Sequence, residues 1–543
     1  MLNYIWLALI IVGVGAALTS DIINSSSDKY RNDQPISSII YFDTNIDSLG
    51  NGNQSVEVKI IAKQFNDIYN TSIKQDVVTS ATINLNQNAE KHTITLTTDT
   101  NTPLIWQEIA EASGDKNDIK GHLKFYDRVN ENSISAEIVL ESISFSKMQN
   151  VTNAVLEYAG TAVTIALGLI GIMALWLGVM KVAEDAGLIR LLAKSVRPIT
   201  KRLFPEIPSD HPAMSSMIMN ISANMLGLGN AATPFGLKAM EEMEKINPNK
   251  GTASNSMVTF LAINTAGLTL IPATAIAVRA ASGSANPAII IGTTIFGAFC
   301  ATVAGVSAAK IIEKFYLKDW SFASWIKTNF KFLTLIAVLI TGVILLFTTG
   351  FSQQIGNVFS FISADGFKNL IAVLSKLAIP LLILIFIGYG AIKKVKVYES
   401  FVDGAKEGFN IAVKIIPYLV AMLIAIGIFR AGGGMDWFIF ILEPITSLIG
   451  FPAEALPMAL MRPLSGSGSL GILAENLTVY GPDSFLGILV STMYGSTETT
   501  FYVLAVYFGA VNIKSTRHAV PVGLIADIAG ILGALFIVKT LFG

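Results

Sequence analysis

The sequence predicts an all-α polytopic membrane protein built on two inverted repeats with broken, re-entrant helices, plus an inserted β-rich, sandwich-like domain. Three observations predict it. Of 543 residues, 52% are hydrophobic and 14% charged, with a mean hydropathy of +0.57, and several apolar runs are long enough to cross ~30 Å of hydrocarbon. One long polar stretch, 21–150, interrupts that composition near the start. Two further segments, 220–234 (NISANMLGLGNAATP) and 462–475 (RPLSGSGSLGILAE), concentrate Gly, Ser, Asn and Pro inside apolar blocks. In hydrocarbon every backbone N–H and C=O needs a partner within the protein, so such clusters mark helices that break to line a cavity.

The first apolar block, 4–18, is as short as a signal-peptide core but has no Lys or Arg before it, and is read as a retained first transmembrane helix within 1–20. From 21 to 150 the composition turns to Asn, Asp, Ser, Thr and Lys. Segments 55–61 (SVEVKII), 92–98 (HTITLTT) and 135–143 (SAEIVLESI) alternate apolar and polar residues, the period of half-buried strands. This length suffices for one small domain, expected as a β-sandwich. Its 18 Asp/Glu against 11 Lys/Arg, a net −7, fit an extracytoplasmic position.

Apolar blocks resume at 159–180, 215–240, 257–278, 287–306, 332–347, 370–392, 411–428, 435–449, 455–473, 485–511 and 520–541, with Pro272, Pro380, Pro417 and Gly523 marking kinks. Read side by side, 160 onward (GTAVTIALGLIGIMALWLG) and 408 onward (GFNIAVKIIPYLVAMLIAIG) open one plan: a helix, a Pro-containing amphipathic connector, a broken helix, then two more apolar blocks. This gives repeats at 151–313 and 367–543, joined by a linker, 314–366, that holds the extra span 332–347. Arg190, Lys194, Arg197, Lys201 and Arg202 follow the first helix of repeat one, whereas the matching connector of repeat two carries Arg430 with Asp436, Glu443 and Glu454. The positive-inside rule then inserts the repeats in opposite senses, a transporter plan with the solute near mid-depth.

The polar residues inside these blocks are the candidate substrate-binding set. Repeat one offers Asn220, Asn224, Asn230 and Thr233, followed by Asn264 and Thr265; repeat two offers Ser465, Ser467 and Ser469, followed by Ser496, Thr497, Glu498 and Thr499. Amide and hydroxyl groups donate and accept at once, which suits a solute rich in hydroxyls or base edges. Freed N–H groups at half-helix starts favour an anion or carbonyl. The plainer reading is helix packing, in which Gly and Ser allow close approach and Asn or Thr bond between helices. Glu498 is a carboxylate inside an apolar block, expensive unless protonated, paired or wet. Arg462 is its candidate charge partner, and the pair reads equally as site or as structure. Arg279 is expected to snorkel to the interface.

Several functions are disfavoured. Four scattered histidines and one cysteine, Cys300, make no metal cluster, disulfide or HExxH pair, so no metal, cofactor or catalytic residue is assigned. No GxxxxGK[ST] loop occurs, and Ser467 in Gly-Ser-Gly lacks the strand-to-helix setting of a nucleophile elbow. A net charge of −1 with no basic run argues against nucleic acid.

The segments 224–242 (NMLGLGNAATPFGLKAMEE), 260–287 (FLAINTAGLTLIPATAIAVRAASGSANP) and the opening MLNYIWLALI resemble spore maturation protein A. The segments 461–475 (MRPLSGSGSLGILAE), 480–485 (YGPDSF), 495–511 (GSTETTFYVLAVYFGAV) and 515–519 (STRHA) resemble spore maturation protein B. The chain is thus similar to an A–B fusion over nearly everything except 21–150, where it departs from the short connection of the A protein. The resemblance implies a nucleoside-recognition (Gate) family, shared at a distance with concentrative nucleoside transporters and the membrane region of ferrous iron transporter B. It implies a bacterial inner-membrane protein in which two Gate units come together as a transporter or channel. Gly495-Ser496-Thr497-Glu498 is also similar to the Gly-x-Thr-Glu of the nucleoside transporters' re-entrant hairpin. The expected partners are the lipid bilayer, a small polar solute, a coupling ion (H+ or Na+), an envelope partner for 21–150, and further copies of the chain as a homo-oligomer. The alternative is a non-transporting scaffold of the cell envelope or spore maturation machinery that recruits partners through 21–150.

Overall fold

The computed structural model describes residues 2–85, 91–114, 117–316, 334 and 364–543. The expected extra span 332–347 and most of the linker 314–366 lie outside them. The chain forms two compact units, one of Leu7–Glu157 with Gly427–Phe438, the other of Met1–Trp6, Tyr158–Ile426 and Ile439–Gly543.

The first unit corrects the expected sandwich. Its strands β1 (Ile36–Phe42), β2 (Gly52–Ile60), β3 (Val77–Leu85), β4 (His92–Thr97), β5 (Asp118–Asn130) and β6 (Ser133–Leu140) pair in chain order, and β6 pairs back to β1, closing an antiparallel six-stranded barrel. Ile36 stands opposite Ile138 and Ile40 opposite Ile134 across the closing seam. Inward residues such as Ile40, Val58, Ile83, Leu96 and Ile138 are fully buried. The same core holds Phe65 of α2 (Ala62–Tyr69) and Trp106 of α3 (Leu104–Ser113), which pack edge to face with ring centroids 5.6 Å apart. Alternation reports which face of a strand is buried but not whether the sheet's ends meet, which is why a sandwich and a barrel read alike in sequence.

Helix α1 (Leu2–Ser26) is longer than its apolar block. Asp21 on it is buried and accepts from the backbone N–H groups of Lys147 (3.0 Å) and Met148 (2.9 Å), capping α4 (Ser146–Asp185) at the end where a carboxylate is favoured.

The second unit is helical. It continues with α5 (Leu188–Leu203), α6 (Pro212–Met225), α7 (Gly229–Ile246), α8 (Asn255–Ala266), α9 (Ala273–Ala281) and α10 (Ile290–Ile312). After the undescribed linker come α11 (Ala364–Ile392), α12 (Val397–Ala431), α13 (Gly434–Thr446), α14 (Leu456–Met461), α15 (Gly466–Tyr480), α16 (Phe485–Ser496), α17 (Thr500–Ala510) and α18 (Ala519–Phe542). Among the described residues, five helices are long and apolar enough to cross a membrane: Asn3–Ser26, Ser146–Asp185, Pro287–Ile312, Val397–Ala431 and Ala519–Phe542. The short broken helices depend on their neighbours. Helix α18 packs along α10 and also meets α8, α16 and α17. Small residues set that approach, since a Cβ on Gly530 would stand 2.5 Å from Thr497 Cγ2 and 3.2 Å from Ala301 Cβ.

Among the described residues the interruptions number four, twice what the two polar clusters indicated. The expected breaks fall at 226–228 and 462–465. The blocks 257–278, expected only to kink at Pro272, and 485–511 also unwind, at 267–272 and 497–499.

Candidate functional site

Each interruption frees backbone groups that must be satisfied without water, and the four satisfy one another. The Leu270 N–H donates to Met225 O at 2.8 Å, tying the second break to the end of α6. The Glu498 N–H donates to Thr265 O at 2.7 Å, and the Phe501 N–H to Pro463 O at 3.0 Å. The Arg462 guanidinium donates to Thr497 O and, at 3.4 Å, to Thr499 Oγ1. Irregular backbone is thereby buried in protein, the condition for its survival at membrane depth. Two glycines are needed here. Gly267 has φ +56°, and a Cβ on it would stand 3.1 Å from Glu498 N. Gly227 has φ +80°, and a Cβ there would stand 2.6 Å from Ile271 O.

A cavity of about 360 Å³ opens where the breaks meet. Asn224 and Gly227 line it from the first, Thr269 and Pro272 from the second, Arg462 and Ser467 from the third, and Tyr494 and Glu498 from the fourth. Met173 and Leu177 of α4 and Ile411 and Ile415 of α12 make an apolar wall, while Lys181, Glu184 and Glu407 bring further charge. The helices α9 and α15 both start at the cavity, so the positive ends of their dipoles add positive potential there.

Arg462 is almost fully buried, with its guanidinium 4.6 Å from the centre of the Tyr494 ring and 3.7 Å from Glu498 Oε2. The Glu498 side chain is 54% exposed, open to the cavity. The pair is therefore asymmetric: a fixed cation, and a carboxylate with acceptor capacity to spare.

A second network stands behind it. Asn224 Nδ2 donates to Asn264 Oδ1 (2.9 Å), Tyr507 OH donates to the same oxygen (3.2 Å), Asn220 Nδ2 donates to Tyr507 OH (3.1 Å) and Ala232 O (2.8 Å), and Asn264 Nδ2 donates to Phe260 O (2.9 Å). This chain holds Asn224, which lines the cavity, through its amide Nδ2.

Of the candidate residues, Asn224, Ser467, Glu498 and Arg462 line the cavity. Asn220, Asn264 and Thr265 are buried behind it. Ser465 caps α15, accepting from the Gly468 N–H at 3.0 Å, and Ser469 donates to Ser465 O at 2.6 Å. Ser496 bonds back to Thr492 O, Thr497 is buried, and Thr499 receives Arg462. Thr233 is half-buried on α7, outside the lining. Asn230 lies on the opening turn of α7, its side chain outside the described residues.

Arg279 does not snorkel: it is fully buried and bridges Asp483 (2.8 Å), Ser284 Oγ (3.1 Å) and Pro482 O. Sequence reasoning missed Tyr494 and Tyr507, whose hydroxyls look like ordinary apolar-helix aromatics. It also missed Asp527, a buried carboxylate on α18 that carries the same signal as Glu498, a lone acid in an apolar block. Among the described residues no three His, Cys, Asp or Glu side chains group as metal ligands.

Comparison with known proteins matches residues 166–282 and 412–514 to the family described as nucleoside recognition (Gate). Spore maturation protein B of Bacillus subtilis is 54% identical over 170 residues, 31% of this chain and 96% of that protein. Spore maturation protein A of the same organism is 47% identical over 171 residues, 32% of this chain and 86% of that protein. Inner membrane protein YjiG of Escherichia coli K12 is 35% identical over 83 residues, 15% of this chain and 54% of that protein. No solved structure matches the chain.

Proposed function

Because the chain belongs to the spore maturation protein A and B family with nucleoside-recognition (Gate) domains, we propose that it moves a small, uncharged, hydroxyl- or amide-rich solute of nucleoside type across the bacterial inner membrane. The observation that carries the reading is the convergence of the four helix interruptions on one cavity of about 360 Å³, lined by polar groups of the breaks and by both aliphatic and charged side chains of α4 and α12, the make-up of a small-molecule site.

Chemistry narrows the solute class. Glu498 supplies an acceptor for an N–H or O–H edge, Asn224 supplies an amide, and the starts of α9 and α15 suit a carbonyl or other electron-rich group. The apolar wall from α4 and α12 suits a flat face. With no nucleotide-hydrolysing motif in the chain, movement is passive, ion-coupled or driven by a partner. The acidic 21–150 region is assigned to the extracytoplasmic side.

Asn224→Ala tests the reading in vesicles reconstituted with the full chain and a radiolabelled nucleoside panel. Loss of one positioned amide costs about 1 to 1.5 kcal/mol, so half-saturation is expected to rise by about tenfold. Uptake unchanged by Asn224→Ala removes this residue from the site.

A further inference from the structure

Asp527 stands in the middle of α18 and is 1% exposed. Its Oδ2 accepts from Thr500 Oγ1 at 2.5 Å, and its Oδ1 is sealed from solvent with no hydrogen-bond partner among the described residues. No ion pair reaches it there either, since Arg462 pairs with Glu498 at 3.7 Å. An ionised carboxylate so placed costs several kcal/mol, and the cost vanishes when the group takes up a proton.

The surroundings say what the group can do. Gly523, Asp527 and Gly530 share one face of α18: a Cβ on Gly523 would touch Thr500, and one on Gly530 would touch Thr497. Thr497 and Thr500 therefore flank Asp527, and Thr497 Oγ1 is another buried oxygen without a partner among the described residues. The neighbour on the opposite side of the same unwound segment is Glu498, which faces the cavity. The charged groups whose fields reach Asp527 are Arg462 and Glu498. Helices α8, α16 and α17 carry no charged residue, and α10 carries Lys310, ion-paired with Glu313 at 3.2 Å. The other titratable groups on these packed helices are Cys300, Tyr494, Tyr502 and Tyr507.

We propose that Asp527 is a proton-binding site, a carboxyl group held neutral against residues 497–500 and linked through that segment to the cavity that Glu498 faces. The proton comes from water and returns to it, so no other reactant is required. A solute that engages Glu498 or Arg462 shifts the segment, and with it the Thr500 hydroxyl on which the charged form of Asp527 relies. Proton binding stands by itself; its coupling to solute rests on the transport reading.

Infrared spectroscopy of the purified full-length protein, without solute, tests it. The wild type is expected to show the C=O stretch of a buried protonated carboxyl, lost in Asp527→Asn and retained in Glu498→Gln. Asp527→Asn, which imitates the neutral acid, is expected to melt no lower than the wild type, and Asp527→Glu to restore a carboxyl band. A band indifferent to Asp527→Asn overturns the proposal, as does a sodium-dependent rise in melting temperature that Asp527→Asn abolishes, which would make the site a sodium seat. Since no solute is present, either failure leaves the transport reading untouched, and absent transport leaves the band in place.

Discussion

Glu498→Gln is expected to cut solute flux in reconstituted vesicles sharply while leaving the fold intact. The substitution keeps shape and removes charge. A hydrogen bond to an ionised acceptor contributes about 1.5 to 3 kcal/mol, so flux at sub-saturating solute should fall by roughly ten- to a hundredfold on that term. Stability should change little, because the side chain is 54% exposed and the residue's structural bond, to Thr265 O, is made by its backbone N–H. A variant that transports normally at unchanged melting temperature removes Glu498 from the solute path.

Arg462→Lys is expected to fail where a surface exchange of the two would be neutral. The guanidinium serves Thr497 O, Thr499 Oγ1 and Glu498 Oε2 at once and lies against the Tyr494 ring. A compact ammonium cannot reproduce that planar fork, so at least one buried acceptor loses its donor. The cost is about 1 to 3 kcal/mol per orphaned group, read as a lowered unfolding midpoint, with flux lost as the 497–499 segment relaxes. Arg462→Ala should cost more, since Glu498 then loses its cation too. If Arg462→Lys matches the wild type in both measurements, the guanidinium does not organise the site.

Hydrocarbon is an unforgiving solvent, so Asn224, Ser467, Arg462 and Glu498 stood out in the sequence as polar groups in apolar runs, and all four line the cavity, whereas the expected fold class is corrected by the closed barrel. The other two interruptions were marked in the sequence only by the kink at Pro272 and by the likeness of 495–498 to a re-entrant hairpin, and the Glu498 N–H that donates to Thr265 O ties these two unwound segments together. Asp527 carried the signal that singled out Glu498, but no Gly or Ser cluster surrounds it, and what gives it meaning is its contact with Thr500, distant in sequence. Barrel closure was invisible for a similar reason. The seam between Ile36 and Ile138 is a pairing of chain ends, whereas alternation within a strand is purely local.

One cavity is shared by the four interruptions. Its most direct test is the thermal stability of the full chain screened against nucleosides, nucleobases, dicarboxylates and divalent metals, in the wild type beside Glu498→Gln and Asn224→Ala. A ligand that binds only the folded state raises the melting temperature by mass action, by about 2.7 kcal/mol of stabilisation at a hundred times its Kd. A nucleoside-type solute is expected to raise the wild-type midpoint and to lose that effect in both variants. A stabilising solute whose effect survives both substitutions unchanged would contradict the cavity as its binding site.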